Sequence, residues 1–278
     1  MGGSPWNPSI CYKMNRRILP TIFSLNLFGL FFIEMWKGFL VLFVIGVVGV
    51  NLQFLPLPPY LNACHKDDPN LNECGLREAK NGLPYILKGD RRYGIPNFLP
   101  MKLDIISVDT PGNFKISLKN VSIYGLEKLE VTGVKANLTE HVVNMNFSVP
   151  SYTLLSKYEM DGRILVLSLK GEGESNITAT DVTVEYELKY DLVDKKGEQF
   201  VKIADQHVHY EVSRAYFNFT NLFNGDKLLG DSTINLLNDE WKSINDELEE
   251  GIEETIKSVS ATIVGGIFEK VPYRFAFL

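Results

Sequence analysis

The chain has 278 residues, 45% of them hydrophobic and 12% aromatic, with a formal charge of −6 at pH 7. That content excludes disorder as the main state and suffices for one large core or two small ones. Beyond residue 50 the balance is 24 basic against 33 acidic groups, which argues against nucleic acid or an anionic membrane surface as a partner.

Lys37 precedes the uncharged run Phe39–Val50, which has the length of a secretory h-region and is short for a bilayer span. The reading is a secreted, extracellular protein with a functional start at Met35 and cleavage near Gly49. Residues 1–34 are then an upstream extension and 51–278 a single domain. A second run, Ile18–Ile33, lies behind Lys13, Arg16 and Arg17, and the two runs acting together as a signal anchor are the alternative. Removal of residues 1–50 takes Cys11 away and leaves an even pair, Cys64 and Cys74, as an oxidising compartment prefers. Five N-glycosylation sequons begin at Asn120, Asn137, Asn146, Asn176 and Asn218, of which roughly two or three are expected to be occupied.

After Cys74, Leu76, Ala79, Leu83, Ile86 and Leu87 recur at helical spacing, with Asn72 placed to cap the helix and Gly82 and Pro84 expected to kink or break it. From Met101 to Phe219 the period becomes two: Phe114, Ile116, Leu118; Val143, Met145, Phe147, Val149; Val182 to Leu192; Val208, Tyr210, Val212. These are strands with one apolar face. Asp109–Asn113, Asp161-Gly162, Gly171–Gly173 and Asp194–Gly197 carry hairpin chemistry, which predicts an antiparallel meander. The alternation slips near Asn120 and near Gly133, where bulges would bend the sheet.

From Asp231, read as the cap, Leu237, Trp241, Ile244, Leu248, Ile252, Ile256, Val259, Ile263 and Ile267 form one helical stripe. The pattern predicts a single helix of roughly 37 residues and about 55 Å, hence an elongated molecule. Such a stripe needs a large apolar cover, and only the strands offer one. The expected fold is α+β, with the sheet wrapped around the C-terminal helix.

Cys64, Asp68 to Cys74, Gly94-Ile95-Pro96, Leu222 to Lys227, Leu229-Gly230-Asp231, Trp241 and Lys270 to Tyr273 stand in the order and spacing of the takeout and juvenile-hormone-binding proteins of insect haemolymph. The chain resembles that family from about Leu61 onward. The resemblance implies a secreted carrier of a hydrophobic small molecule or lipid, such as a juvenile-hormone-like terpenoid or a fatty acyl chain. It also implies a TULIP-like super-roll with an apolar tunnel, and a disulfide that ties down the N-terminal segment near a tunnel end. Cys64 and Cys74 are not spaced as CxxC and have only His65 beside them, which favours a structural bridge over a redox or metal pair. The bridge is expected on the surface side of the N-terminal segment.

The side chains suited to line a tunnel are Phe147, Tyr186, Tyr210 and Phe217 on strands and Trp241, Ile244 and Leu248 on the helix, each of which serves equally as ordinary core. Tyr186 and Tyr210 are the polar handles. His207 and His209 share a strand face with Asp205, but a third metal ligand is missing, so no metal is expected. Glu247, Glu249, Glu250, Glu253 and Glu254 are read as the solvated helix face. Gly230-Asp231-Ser232 invites an esterase reading, yet no histidine follows Ser232 to act as its base. With no nucleotide or zinc-protease motif, neither catalysis nor a cofactor is expected. The partners expected are the apolar ligand, a membrane receptor under the rival reading of a ligand-free modulator, and no nucleic acid; the protein is expected to be a monomer.

Overall fold

The structure is a computed structural model that describes residues 54–110, 113–165 and 167–278. The leader, anchor and start-site expectations, with Cys11, Trp6 and Trp36, lie outside the described residues, as do Pro111 and Gly112 of the first strand turn. The described elements fall within the unit Asn51–Leu278.

Helix α1, Leu71–Lys88, begins after Asn70. The expected cap at Asn72 is not made: its Oδ1 accepts the Ala136 N–H at 2.8 Å and fastens α1 to the sheet. The helix also runs unbroken through Pro84. Pro84 and Lys80 are both exposed, so water is available to the Lys80 carbonyl that the proline cannot serve.

Six strands follow: β1 Met101–Asp109, β2 Lys115–Tyr124, β3 Glu130–Asn137, β4 Val142–Ile164, β5 Leu167–Lys195 and β6 Glu198–Phe219. All pairs are antiparallel, in the order β1-β2-β4-β5-β6, with β3 pairing with the first part of β4 in line with β2. Slips occur at Lys119/Ser122 and Val131/Gly133, as the broken alternation predicted. The Asp194–Gly197 turn is also present, with Lys196 and Gly197 at φ 60° and 81°, the paired left-handed conformation of a two-residue hairpin.

Two other turn expectations are corrected. Asp161-Gly162 and Gly171–Gly173 lie inside β4 and β5, where Asp161 pairs with Lys170 and Gly162 with Leu169. The chain reverses only after Ile164. A Cβ on Gly173 would stand 2.5 Å from the Thr220 carbonyl oxygen, and Gly171 bridges Leu222. These glycines therefore let the chain beyond β6 cross close over β5.

A crease absent from the sequence reading crosses three strands. Val149, Val182 and Val212 form one cross-strand row, and the next inward row is Tyr152, Ala179 and Ala215, three positions away rather than two. The alternation thus changes phase at the same place in β4, β5 and β6, where Asp181 takes φ 48°. A phase change shared by neighbouring strands bends the sheet as a whole. Bending is required: 29 residues of β5 at about 3.3 Å each reach ~95 Å, whereas the longest helix, of 28 residues, spans ~42 Å.

The C-terminal helix is two helices. α2, Lys227–Asp239, is capped by Asp226, whose carboxylate accepts the Leu229 N–H at 3.0 Å, so Asp231 is not the cap. α3, Trp241–Phe268, starts after Glu240 leaves helical geometry at φ −94°, ψ 21°. Asn238, just before the break, bonds its side chain to the Phe217 backbone. The short helix α4, Tyr273–Ala276, leads into a tail that pairs with the N-terminal segment at Cys64 and Phe277. The result is an α+β fold, a curled antiparallel sheet around the C-terminal helix.

Candidate functional site

α3 touches two of the edge strands, β1 and β6. On the β1 side the approach is close: a Cβ on Gly251 would lie 2.7 Å from a Val108 methyl. On the β6 side the Tyr210 hydroxyl donates to Asn245 Oδ1 at 2.8 Å. Two edge strands thus meet one helix, α3, while the third edge strand, β3, is packed by α1.

The two ends of this enclosure are packed. Phe114, Val121, Ile164, Leu237 and Ile244 belong to one cluster, and Tyr93, Ile95, Ile267 and Val271 to another. Between them stand two smaller clusters, one around Val149, Ala179 and Val182 and one around Tyr186, Leu188 and Val208. On α3, Ile252 and Ile256, between Leu248 of the first cluster and Val259 of the second, are only half-buried, and so are Tyr152, Val184 and Val212 on the strands. A continuously packed core would cover such side chains, so the middle of the roll is looser than its ends.

The residues singled out in the sequence divide between these regions. Phe217 and Ile244 are buried within the large end cluster, and Trp241 and Leu248 pack against it. Phe147 and Tyr186 belong to the small cluster that also receives Ile256 and Val264 of α3. Tyr210 is buried at the β6–α3 seam. The structure therefore does not bring the seven into one surface. Both predicted handles already have partners: Tyr186 donates to Gln206 Oε1 at 2.8 Å, and Tyr210 to Asn245. Burial pushes the Tyr186 phenol up to about 12 and raises Tyr210 as well, with the nearby Tyr152 phenol adding to it.

Tyr152 was missed by the sequence reading. It packs against the large end cluster and against the Val149 cluster, so it bridges the packed end and the loose middle. In sequence it falls out of phase with Val143 to Val149, which hides it from an alternation count. The cue was its position two residues past Pro150 in an otherwise regular strand.

A cleft of about 530 Å3 runs along the outside of the β6–α3 seam, lined by polar groups such as Asp181, His209, Lys242, Asn245 and Glu249. Here His209 Nδ1 lies 3.7 Å from both Glu249 Oε1 and Glu253 Oε1. The donor atoms all fall within 4.8 Å of one another, so α3 supplies companions for His209 that no local sequence pattern revealed. His207 instead pairs with Asp205 at 3.0 Å. Glu253 is half-buried rather than fully solvated; burial, then the Glu249 carboxylate, raises its pKa. Ser232 is exposed and donates its hydroxyl to the Leu228 carbonyl.

Cys64 and Cys74 are joined and both are buried, which corrects the expected surface placement. Cys64 exchanges backbone hydrogen bonds with Ala276 and Leu278, so the bridge unites the N-terminal segment, α1 and the C-terminal tail. Beside it Glu78 is buried. Burial opposes its charge, but the Asn62 backbone and side-chain N–H groups and Arg77 outweigh that and lower its pKa. The five sequon asparagines are all exposed.

The sequence profile of the family described as haemolymph juvenile hormone binding protein matches residues 39–278. The circadian clock-controlled protein daywake of Drosophila melanogaster is 23% identical over 227 residues, covering 78% of this chain and 86% of its own. Its counterpart in Drosophila yakuba is 22% identical over 211 residues, covering 72% and 81%. The crystal structure of Epiphyas postvittana Takeout 1 superposes with a TM-score of 0.69 at 25% identity, covering 77% of this chain and 98% of that one.

Proposed function

The chain belongs to the haemolymph juvenile hormone binding protein family, and from that premise we propose that it is an exported carrier of one apolar small molecule or acyl chain. The ligand lies in the roll between α3 and the concave sheet. The observation that carries this reading is the half-covered apolar surface between two packed clusters in a roll whose β1 and β6 edges meet α3. Burial supplies the affinity: some 400 Å2 of apolar ligand surface is worth about 10 kcal/mol before the losses of association, which puts micromolar to nanomolar binding within reach. No charged contact is needed. The segment from Met35 to about Gly49 acts as the leader, and roughly two or three of the five exposed sequon asparagines are glycosylated in the exported form.

Extraction of the protein from the medium of expressing insect cells with organic solvent, followed by mass spectrometry, tests the reading. An apolar compound recovered in stoichiometric amount is expected. A protein that carries none, and binds none when offered a panel of terpenoids and acyl lipids, is instead the ligand-free modulator of a membrane receptor.

A further inference from the structure

His209, Glu249 and Glu253 are brought together from two elements on the outside of the roll. His209 is exposed on β6 between buried Val208 and Tyr210, while Glu249 and Glu253 stand one turn apart on α3 and share a face. The imidazole Nδ1 lies 3.7 Å from one oxygen of each carboxylate, which is too long for a hydrogen bond. Two ligands of one tetrahedral zinc, each about 2.0–2.1 Å from the ion, are about 3.4 Å apart. Small rotations of these side chains therefore complete a three-ligand set.

The surroundings favour a cation. The other imidazole nitrogen, Nε2, faces Glu211 at 3.9 Å, and a carboxylate on that side holds the proton on Nε2 and leaves Nδ1 free to ligate. Glu249 and Glu253 are both half-buried, and two carboxylates held side by side repel each other until a positive charge lies between them. The nearby ammonium groups pair elsewhere, Lys257 with Glu254 and Lys242 with Asp246. The cleft along the seam has His209 and Glu249 in its wall, which gives an ion access from solvent.

We propose that His209 Nδ1, Glu249 and Glu253 form a site for a divalent transition cation of the zinc type, with water as the fourth ligand. One imidazole and two carboxylates suit zinc rather than calcium or magnesium, which favour larger sets of oxygen ligands. The ion ties α3 to β6 one residue along the strand and one helical turn from the Tyr210–Asn245 hydrogen bond, so it fastens the same seam. The site lies outside the roll and does not depend on what the roll carries.

The protein secreted from the full chain, stripped with EDTA and dialysed into neutral buffer, is titrated with zinc chloride by calorimetry while its melting temperature is followed. One equivalent of zinc bound at micromolar affinity or tighter, with a rise in melting temperature, is expected, and calcium or magnesium at the same concentrations should give neither. His209→Ala and Glu249→Gln should each weaken zinc by more than about tenfold, whereas His207→Ala, which removes an imidazole paired with Asp205, should stay within twofold. Glu253→Gln separates binding from folding. It removes a ligand and the repulsion from Glu249 together, so the metal-free variant should be no less stable than wild type and yet gain nothing from zinc. Zinc binding no better than calcium, surviving in His209→Ala, or lost as fully in His207→Ala overturns the site.

Discussion

The side-chain amide of Asn238 faces the backbone of Phe217 as a neighbouring strand would: its Oδ1 accepts the Phe217 N–H and its Nδ2 donates to the Phe217 carbonyl, each at 2.8 Å. One residue of α2 thus terminates the open edge of β6, and the helix breaks two residues later at Glu240. Asn238→Ala leaves two edge groups without partners and should cost about 1–3 kcal/mol in denaturant unfolding. Asn238→Asp keeps the size but loses the donor and turns an acceptor toward a carbonyl, so it should be no milder. An alanine variant as stable as wild type would mean that water serves this edge equally well.

The apolar stripe of α3 is unequal along its length. Ile244 is buried at 3% accessibility, whereas Ile252 is half-buried beside the loose middle. Ile244→Asp should therefore be the more damaging, abolishing secretion or costing several kcal/mol as an unpaired buried charge. Ile252→Asp should retain more fold and chiefly lose ligand. Glu250→Ala, on the exposed side, should change stability by less than about 0.5 kcal/mol. Secreted yield and melting temperature of the three, measured together, check the order.

Trp241 is the one tryptophan among the described residues. It packs against the large end cluster with the Arg214 guanidinium 5.4 Å from its ring. Its emission should be blue-shifted from that of indole in water and should respond saturably to an apolar ligand. Arg214→Ala removes the cation and should shift the emission in the absence of any ligand.

Glu253 sets a stability dependence on pH. Its pKa is raised in the fold, first by burial and then by Glu249. The protonated form is therefore the favoured one, and the stability it contributes is full below the ordinary carboxylate pKa and is lost as pH rises through the raised value. Glu253→Gln should raise the melting temperature at pH 8 and leave it unchanged at pH 4. His209 and Lys257, which bear on the same carboxylate in the opposite sense, are kept intact in this comparison. A gain at pH 4 and none at pH 8 would reverse the assignment.

The Cys64–Cys74 bridge closes a separation of 10 residues, worth about 2–3 kcal/mol by chain entropy. Because Cys64 also pairs with the C-terminal tail, Cys64→Ser/Cys74→Ser should expose both the 54–70 segment and the 273–278 tail to faster amide exchange. Exchange confined to the N-terminal segment would show that the tail is held independently.

Much of the roll was legible in the residues because its determinants are local. Alternation in β4, β5 and β6, the bulge at Asn120, the Lys196-Gly197 turn and the stripe from Leu237 to Ile267 all follow from neighbours a few positions apart. Local chemistry also misled where a distant segment intervened. Asp161-Gly162 and Gly171–Gly173 look like turns until the strand opposite, or residues 220–222 crossing above, is in place. Asn72 and Asp231 look like helix caps until the Ala136 N–H engages the Asn72 side chain and Asp226 takes the cap of α2.

The sequence by itself determined the family, the curled α+β architecture and the pairing of its two downstream cysteines, since apolar periodicity and motif spacing are properties of the chain order. Only the tertiary structure decided the break at Glu240, the shared crease at Asp181, the gathering of His209 with Glu249 and Glu253, and the position of Tyr152 between packed end and loose middle. Each of these depends on which surfaces meet when a sheet with strands longer than its helix closes on that helix. Contacts between residues tens of positions apart leave no period in the sequence.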